Sequence, residues 1–438
     1  MGALAVIGGS GFIGRHVVAS LLTAGREVVA PSHEDFDIAR EDPAFLAAKL
    51  AGVDIVVNCA GLARDARVDN LDSVNAEGAK RLALACVQAG VRRLVHISAL
   101  GAGQDDSTRF QRSKGDAERA LGAIEGLEIV IVRPSLVMGA GGASGDFFSA
   151  LATLPVPPRL GAGKSRIQPL HVTELADLVT GLAYAPNPPK SVDAVGPAPL
   201  TTDELTRQLR DWLGLGAMPF LAVPSSVLGF FAWLNEIVEI GPGDREFLGL
   251  LERGNTGDPS SIATALGRAP LSLAQSLARQ PASLADLWRA RLYFLQPLLR
   301  LTLAFLWIGT GLVSFGMFPP AEFYVMLGEL GLTGPLAEVA LFGAAGANLV
   351  LGALLVAKWR PGLVASAMLV LLAVFSLAAL TLPHEYWLTP FAPILKNLPI
   401  AVGLLTLIGM EPPKRRGAKR AAPVAAAAVR TSTIKSLA

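Results

Sequence analysis

The chain has 438 residues, a net charge of only +2, 52% apolar residues and 17% charged ones. That is long enough for two or three domains, and the near-neutral balance excludes nucleic acid as a general partner. Charge is concentrated in residues 1–290, whereas about 295–410 carry almost none, so a water-facing part precedes a membrane part. The two cysteines, Cys59 and Cys86, have no metal-type spacing, and no metal site is expected. No basic, apolar leader opens the sequence.

Ala3–Ile7 reads as a buried strand, Gly8, Gly11 and Gly14 follow as GxxGxxG, and Arg15–Ala24 reads as a helix with Val17, Val18, Leu21 and Leu22 on one face. Strand, glycine turn and helix in this order form a pyrophosphate cradle. Glycine lets backbone amides approach the phosphates, and the helix start supplies donors and partial positive charge. Glu27–Ala30 is the second strand, Asp42–Leu50 a helix, Asp54–Asn58 a strand and Asn75–Ala89 a helix. Arg93–Ser98 is a strand, Phe110–Leu121 a helix and Leu127–Val132 a strand. This alternation predicts an α/β, doubly wound parallel sheet with helices on both faces.

The end of the second strand reads out the cofactor. An acid there takes a ribose 2′-hydroxyl, and a base accepts a 2′-phosphate. Here Ala30-Pro31-Ser32-His33 has no acid, Glu34 and Asp35 lie slightly further on, and Arg15 directly follows the last cradle glycine. The expected cofactor is NAD(P), with a lean to NADP.

Beyond residue 140 the pattern loosens into a small substrate-side lobe, with short helices expected at 172–184, 201–213 and 270–289. Pro224–Ile240 is unusually apolar and reads either as a lid or core helix or as a surface that dips into a membrane interface.

Four apolar segments follow: Leu301–Phe318, Val339–Ala357, Pro361–His384 and Phe391–Met410. Each approaches or exceeds the roughly 18–20 residues that span a bilayer. Lys358 and Arg360 lie in the second connection, and Lys414, Arg415, Arg416, Lys419 and Arg420 in the tail. The first connection carries only Glu322 and Glu329. The positive-inside rule then puts both termini and the nucleotide domain in the cytoplasm, at a bacterial inner membrane. Arg300, Glu338 and Lys396 near the span ends read as snorkelling charges or as a polar site for a quinone. The expected domains are 1–285, 295–411 and a basic disordered tail, 412–438.

Several stretches in order, Gly8-Gly-Ser-Gly11-Phe-Ile-Gly14, Asn58-Cys-Ala-Gly61, Val74-Asn75-Ala-Glu-Gly78, His96-Ile-Ser98, Arg133-Pro134-Ser, Gly139 and Leu170-His-Val-Thr-Glu-Leu-Ala176, resemble the extended short-chain dehydrogenase/reductase superfamily. The likeness is strongest to its atypical epimerase-like branch, which includes the nucleotide-binding accessory subunit of respiratory complex I. The membrane part, with Arg300, Gly309-Thr-Gly311 and Leu395-Lys396-Asn397, resembles DoxX-like four-helix domains. The resemblance implies a dinucleotide held by Gly8, Gly11, Phe12, Ile13, Gly14, Arg15, Ser32, Asp37, Ile38, Cys59, Ala60, Gly61, Asn75 and Lys114.

It also implies a catalytic Ser, Tyr and Lys. Ser98 and Lys114 stand at two of these positions, but Phe110 occupies the Tyr position and has no proton to give. Two readings stay open. In one, an NAD(P)-dependent oxidoreductase or epimerase-like protein works on a quinone or other lipid-soluble substrate, with Lys114, a water, His96 or His171 as acid. In the other, a non-catalytic subunit stabilises or regulates a membrane complex.

Overall fold

A computed structural model describes residues 3–411 except 66–68, 104–107, 161–164, 239–242, 318–319 and 383–392. The chain divides into two compact units, Met1–Phe294 and Leu295–Ala438. The basic tail expected at 412–438 lies outside the described residues.

In the first unit the elements run β1 (Ala3–Ile7), α1 (Phe12–Thr23), β2 (Val28–Val29), α2 (Pro43–Lys49), β3 (Val53–Asn58), α3 (Ala79–Gln88), β4 (Arg93–Ile97), α4 (Arg109–Gly122) and β5 (Glu128–Pro134). They continue with β6 (Val137–Met138), α5 (Ala143–Thr153), β7 (Pro158–Arg159), β8 (Arg166–Ile167), β9 (Leu170–His171), α6 (Val172–Tyr184) and β10 (Ser191–Ala194). The sheet is six-stranded in the order β10-β5-β4-β3-β1-β2, with every pairing parallel. The strand order reverses between β1 and β3, which opens a crevice at their carboxyl ends.

Both faces are covered because side chains alternate along each strand. Leu4, Val6, Ile55, Val57, Val95, Ile97, Val130 and Val132 join α1 and α6 in one core through Val17, Leu21, Leu175 and Leu178. Ala5, Ile7, Val56 and Leu94 point the other way, onto Leu46, Leu82, Cys86 and Leu121 of α2, α3 and α4. A third core builds the lobe from Phe147, Phe148, Leu205, Leu209, Leu251 and Leu277. The Phe147 ring meets those of Phe148 and Phe247 edge-on at 5.6 and 5.7 Å.

The lobe adds β11 (Leu200–Thr201), α7 (Thr202–Trp212), β12 (Leu221–Ala222), α8 (Ser225–Val238), α9 (Arg245–Arg253), α10 (Ser260–Leu266) and α11 (Leu273–Arg279). Three expectations change. The helix expected from Asn75 begins as a π-helical turn at Asp72–Gly78. The single helix expected at 270–289 is two. Gln280 leaves helical geometry (φ −129°, ψ 78°) because Pro281 disfavours the α region in the residue before it. A new helix, α12 (Leu284–Leu312), then starts. The apolar stretch at 224–240 is not a core helix: α8 turns Ala232 inward and leaves Phe230 and Phe231 exposed.

The second unit holds the later part of α12, a π-helical turn at Val313–Met317, α13 (Pro320–Glu329), α14 (Pro335–Val356), α15 (Pro361–Thr381) and a last helix, Pro393–Met410. Among the described residues, three spans, Leu284–Gly316, Pro335–Val356 and Pro361–Thr381, are long and apolar enough to cross a bilayer. Of the fourth expected span, Phe391–Met410, the described part is helical from Pro393 to Met410, and residues 391–392 lie outside the described residues. A helix, α13, also stands where the sequence suggests only a connection. Glu322 in its first turn complements the helix dipole. Close approach is built on glycine: a Cβ at Gly352 would lie 2.5 Å from Ile308 Cγ1, and one at Gly311 2.7 Å from Leu349 Cγ. Asn397 Nδ2 donates to Ser376 Oγ at 2.8 Å between two helices.

Candidate functional site

The cradle lies at the carboxyl end of β1. Gly8 has φ +75°, and a Cβ there would lie 2.7 Å from the backbone nitrogen of Ala60. Only glycine combines that backbone with that proximity. Gly14 presses against the same turn: its Cβ would meet Gly8 O at 2.2 Å. The Gly11 N–H closes the loop onto Gly8 O at 3.0 Å. Gly11 is also the extended N-cap of α1, with no side chain satisfying the helix's first amides. Those amides are donors available to an anion.

The loop after β3 forms the second wall. Asn58 Oδ1 accepts from Ala60 N at 3.1 Å, and Asn75 Oδ1 accepts from Leu62 N at 2.8 Å. Asn75 comes from the π-helical turn, a local widening that is common at functional sites. Its amide nitrogen donates to Leu62 O and to Ser113 Oγ. Gly61 is bare because Lys114 Nζ would lie 3.0 Å from a Cβ there.

Lys114 is buried and donates to Ile97 O at 2.9 Å. Burial pushes its ammonium down to about 8, an effect partly opposed by Cys59 and Glu118. Burial raises the Cys59 thiol to about 12, which keeps it protonated and unreactive. His96 sits on the same side of the sheet, hydrogen-bonded through Nδ1 to Asn58 Nδ2 at 3.1 Å. Burial first, and Lys114 second, hold its imidazole well below its ordinary value, so it is neutral at pH 7.

Ser98 directly follows β4 and is buried. Its hydroxyl donates to Glu118 Oε1 at 2.5 Å. Glu118 is gripped by Arg133, whose Nη2 lies 2.6 Å from Oε2 and whose Nε lies 3.0 Å from Oε1. Ser98, Glu118 and Arg133 thus form one closed polar chain, and Phe110 stands half-buried on α4. Glu118 and this use of Arg133 escape sequence reasoning. The available signal is that Lys114 and Glu118, four residues apart, share a helix face.

Beyond β2, Asp37 Oδ1 accepts from Ala39 N at 2.9 Å and Ile38 is buried against Gly78. Ser32 is exposed and donates to Asp35 at 2.7 Å. Arg15 points elsewhere. Its Nη2 donates to Ala140 O at 2.7 Å, and its guanidinium lies 5.5 Å from the Phe12 ring centre. The loop Gly139–Gly142 rests on that ring, since a Cβ at Gly142 would lie 2.5 Å from it. Ile13 packs partly buried against the α1/α6 core. Beside this loop is a cavity of about 240 Å³, lined in part by Asp146, His171, Trp212 and Arg289. Burial lowers His171 to about 4, so it is a neutral hydrogen-bonding ring there. The sequence reading gives no sign of this cavity.

Comparison with known proteins accords with this geometry. Residues 4–192 match the NAD dependent epimerase/dehydratase family, and residues 304–405 match the DoxX-like family. The chain is 26% identical to subunit 9 of the NADH dehydrogenase [ubiquinone] 1 alpha subcomplex of Arabidopsis thaliana, over 49% of this chain and 60% of that one. It is 28% identical to the ceramide reductase of Caulobacter vibrioides, over 42% and 62%. The chain spans about three fifths of the length of these curated relatives. A human epimerase family protein, SDR39U1, solved with NADPH, superposes with TM-score 0.50 at 23% identity, covering 64% of this chain and 99% of that one, which shows the shared fold.

Proposed function

We propose, for a chain that joins an NAD dependent epimerase/dehydratase domain to a DoxX-like membrane domain, a membrane-anchored NAD(P)-binding oxidoreductase acting on a lipid-soluble substrate. The observation that carries this reading is Lys114, buried against the Gly61 loop and brought to about 8. A lysine there binds the nicotinamide ribose in its charged form and is close enough to neutrality to exchange a proton. Gly8, Gly11 and Gly14 would hold the pyrophosphate of a dinucleotide, Asp37 and Ile38 would meet its adenosine end, and Cys59, Ala60, Gly61 and Asn75 would line its middle; bound there, it would supply the hydride. A ceramide reductase among the relatives supports an apolar substrate, and a quinone fits the same description. Arg15 donates to Ala140 O and Ser32 stands exposed beyond β2, so this reading takes the cofactor as NAD(P) without selecting between the two. The nucleotide domain faces the cytoplasm of a bacterial inner membrane, as the charges at Lys358 and Arg360 direct.

A second reading rests on its own observation: Phe110 offers no proton, and the Ser98 hydroxyl is spent on Glu118. In that reading the domain holds a dinucleotide without turning it over and serves a membrane complex, as the likeness to a subunit of NADH dehydrogenase suggests. Purification of the full chain in mild detergent, extraction of its bound nucleotide and an assay of NAD(P)H oxidation with quinones and long-chain ketones separate the two. Turnover supports the oxidoreductase. Tightly bound dinucleotide that none of these acceptors oxidises sinks it and favours the holding subunit.

A further inference from the structure

Helix α8 is amphipathic the wrong way round for a helix in water. At 100° per residue, Leu228, Ala232 and Asn235 share one side; Leu228 packs against the lobe core and Ala232 is 1% exposed. The opposite arc carries Val227, Phe230, Phe231, Trp233 and Leu234, all exposed, with Phe230 at 55% and Phe231 at 58%. The Phe230 ring lies 5.8 Å from Phe231 and 5.7 Å from Trp233, so the three form one aromatic patch rather than scattered side chains. From Ser225 to Val238 the only charge is Glu236. Isolated exposed apolar residues are ordinary, but a clustered aromatic face marks an interaction surface.

We propose that α8 is a second membrane contact, a helix lying in the bilayer interface with Phe230, Phe231 and Trp233 inserted at the headgroup boundary. Two observations select lipid over a protein partner. The nucleotide unit runs without a break into a helix long and apolar enough to cross a bilayer, Leu284–Gly316. The membrane is therefore always within reach of this unit, and docking is intramolecular. The patch chemistry also matches: Trp and Phe concentrate where an apolar body meets a wet boundary. With no lysine or arginine in α8, insertion draws on apolar burial and does not require anionic lipid. Such docking would hold the cradle against the surface from which a lipid-soluble substrate enters, but the contact itself does not depend on the domain being an enzyme.

The test uses the full chain reconstituted in phosphatidylcholine vesicles, with a nitroxide on Phe231→Cys or, separately, Leu234→Cys. A control label goes on Val87→Cys of α3, also exposed. Labelling of the unsubstituted chain sets the background from Cys59 and Cys86. Both test residues are exposed, so neither substitution empties the core. The expected result is several-fold greater relaxation by dissolved oxygen than by a water-soluble nickel complex at 231 and 234, and the reverse at 87. Nickel accessibility at 231 and 234 equal to that at 87 overturns the proposal, because α8 then stands in water. Shielding from both reagents also overturns it, because protein then covers the helix. Neither result bears on whether NAD(P)H is oxidised.

Discussion

Ser98 donates its hydroxyl hydrogen to Glu118 Oε1 at 2.5 Å, and Arg133 clamps the same carboxylate with two nitrogens. A serine that gives its only proton to a neighbouring carboxylate is not oriented to polarise a substrate carbonyl. The vacancy at Phe110 and the engagement of Ser98 therefore belong together, and repairing one leaves the other.

Phe110→Tyr by itself is expected to raise NAD(P)H oxidation far less than the ~10²–10⁴-fold that a positioned general acid contributes. Phe110→Tyr combined with Glu118→Gln, which loosens the hold on Ser98, is expected to exceed the single variant. Steady-state rates with one ketone or quinone acceptor compare them. A full-sized gain from Phe110→Tyr alone means that the Ser98–Glu118 bond imposes no restraint.

Lys114 brings a pH dependence with a definite sign. Its folded value of about 8 lies below the ordinary value of 10.5, so the folded protein disfavours the charged form. The resulting cost to stability is complete below about pH 8 and is relieved as pH rises from there toward 10.5. Binding of an anionic dinucleotide runs the other way, because it uses the cation. Affinity is expected to weaken as pH rises above about 8, and Lys114→Met is expected to remove that dependence. Calorimetric titration from pH 6.5 to 9.5 reads both effects.

The cradle tolerates no side chain. A methyl group at Gly14 meets the Gly8 carbonyl oxygen, a backbone atom that cannot step aside. Gly14→Ala is expected to weaken dinucleotide binding by about 100-fold or more, roughly 2.8 kcal/mol. Gly181→Ala on α6, where a Cβ meets nothing within 4 Å, is expected to leave binding intact and to stabilise the fold by about 0.5–1 kcal/mol.

Arg15 donates one N–H to Ala140 O, and we propose that this hold keeps it out of cofactor choice. Arg15→Ala is expected to change the ratio of NADP to NAD affinity by less than about 3-fold, well under one tenfold step of 1.4 kcal/mol. Loss of NADP binding alone, in a competition experiment, would falsify this and restore Arg15 as the 2′-phosphate ligand.

In the membrane unit, Gly352 lets α14 approach Ile308 and Ala304 of α12. Gly352→Leu overpacks that contact at about 1–3 kcal/mol, and the Tm in detergent is expected to fall by about 3–8 °C. Gly346→Leu on the same helix, where a Cβ meets nothing within 4 Å, is the matched control.

The elements whose cause is local are legible in the residues themselves. A short continuous apolar run such as Ala3–Ile7, followed directly by glycine, reads as a buried strand. GxxGxxG between strand and helix encodes a close backbone approach, and uncharged runs near bilayer length encode membrane helices. These readings depend on neighbours a few residues away. What tertiary structure decided depends on partners far along the chain. Ser98 meets Glu118 and Arg133 because β4, α4 and β5 are adjacent in the sheet layer. Arg15 turns to Ala140, 125 residues away, instead of to the end of β2. The outward face of α8 is decided in the same way. Its composition announces an apolar helix, but only the packing of Ala232 and Leu228 reveals which side the core takes and that the aromatic side is left uncovered. Periodicity shows that a face exists; which surface it meets is settled by the rest of the fold.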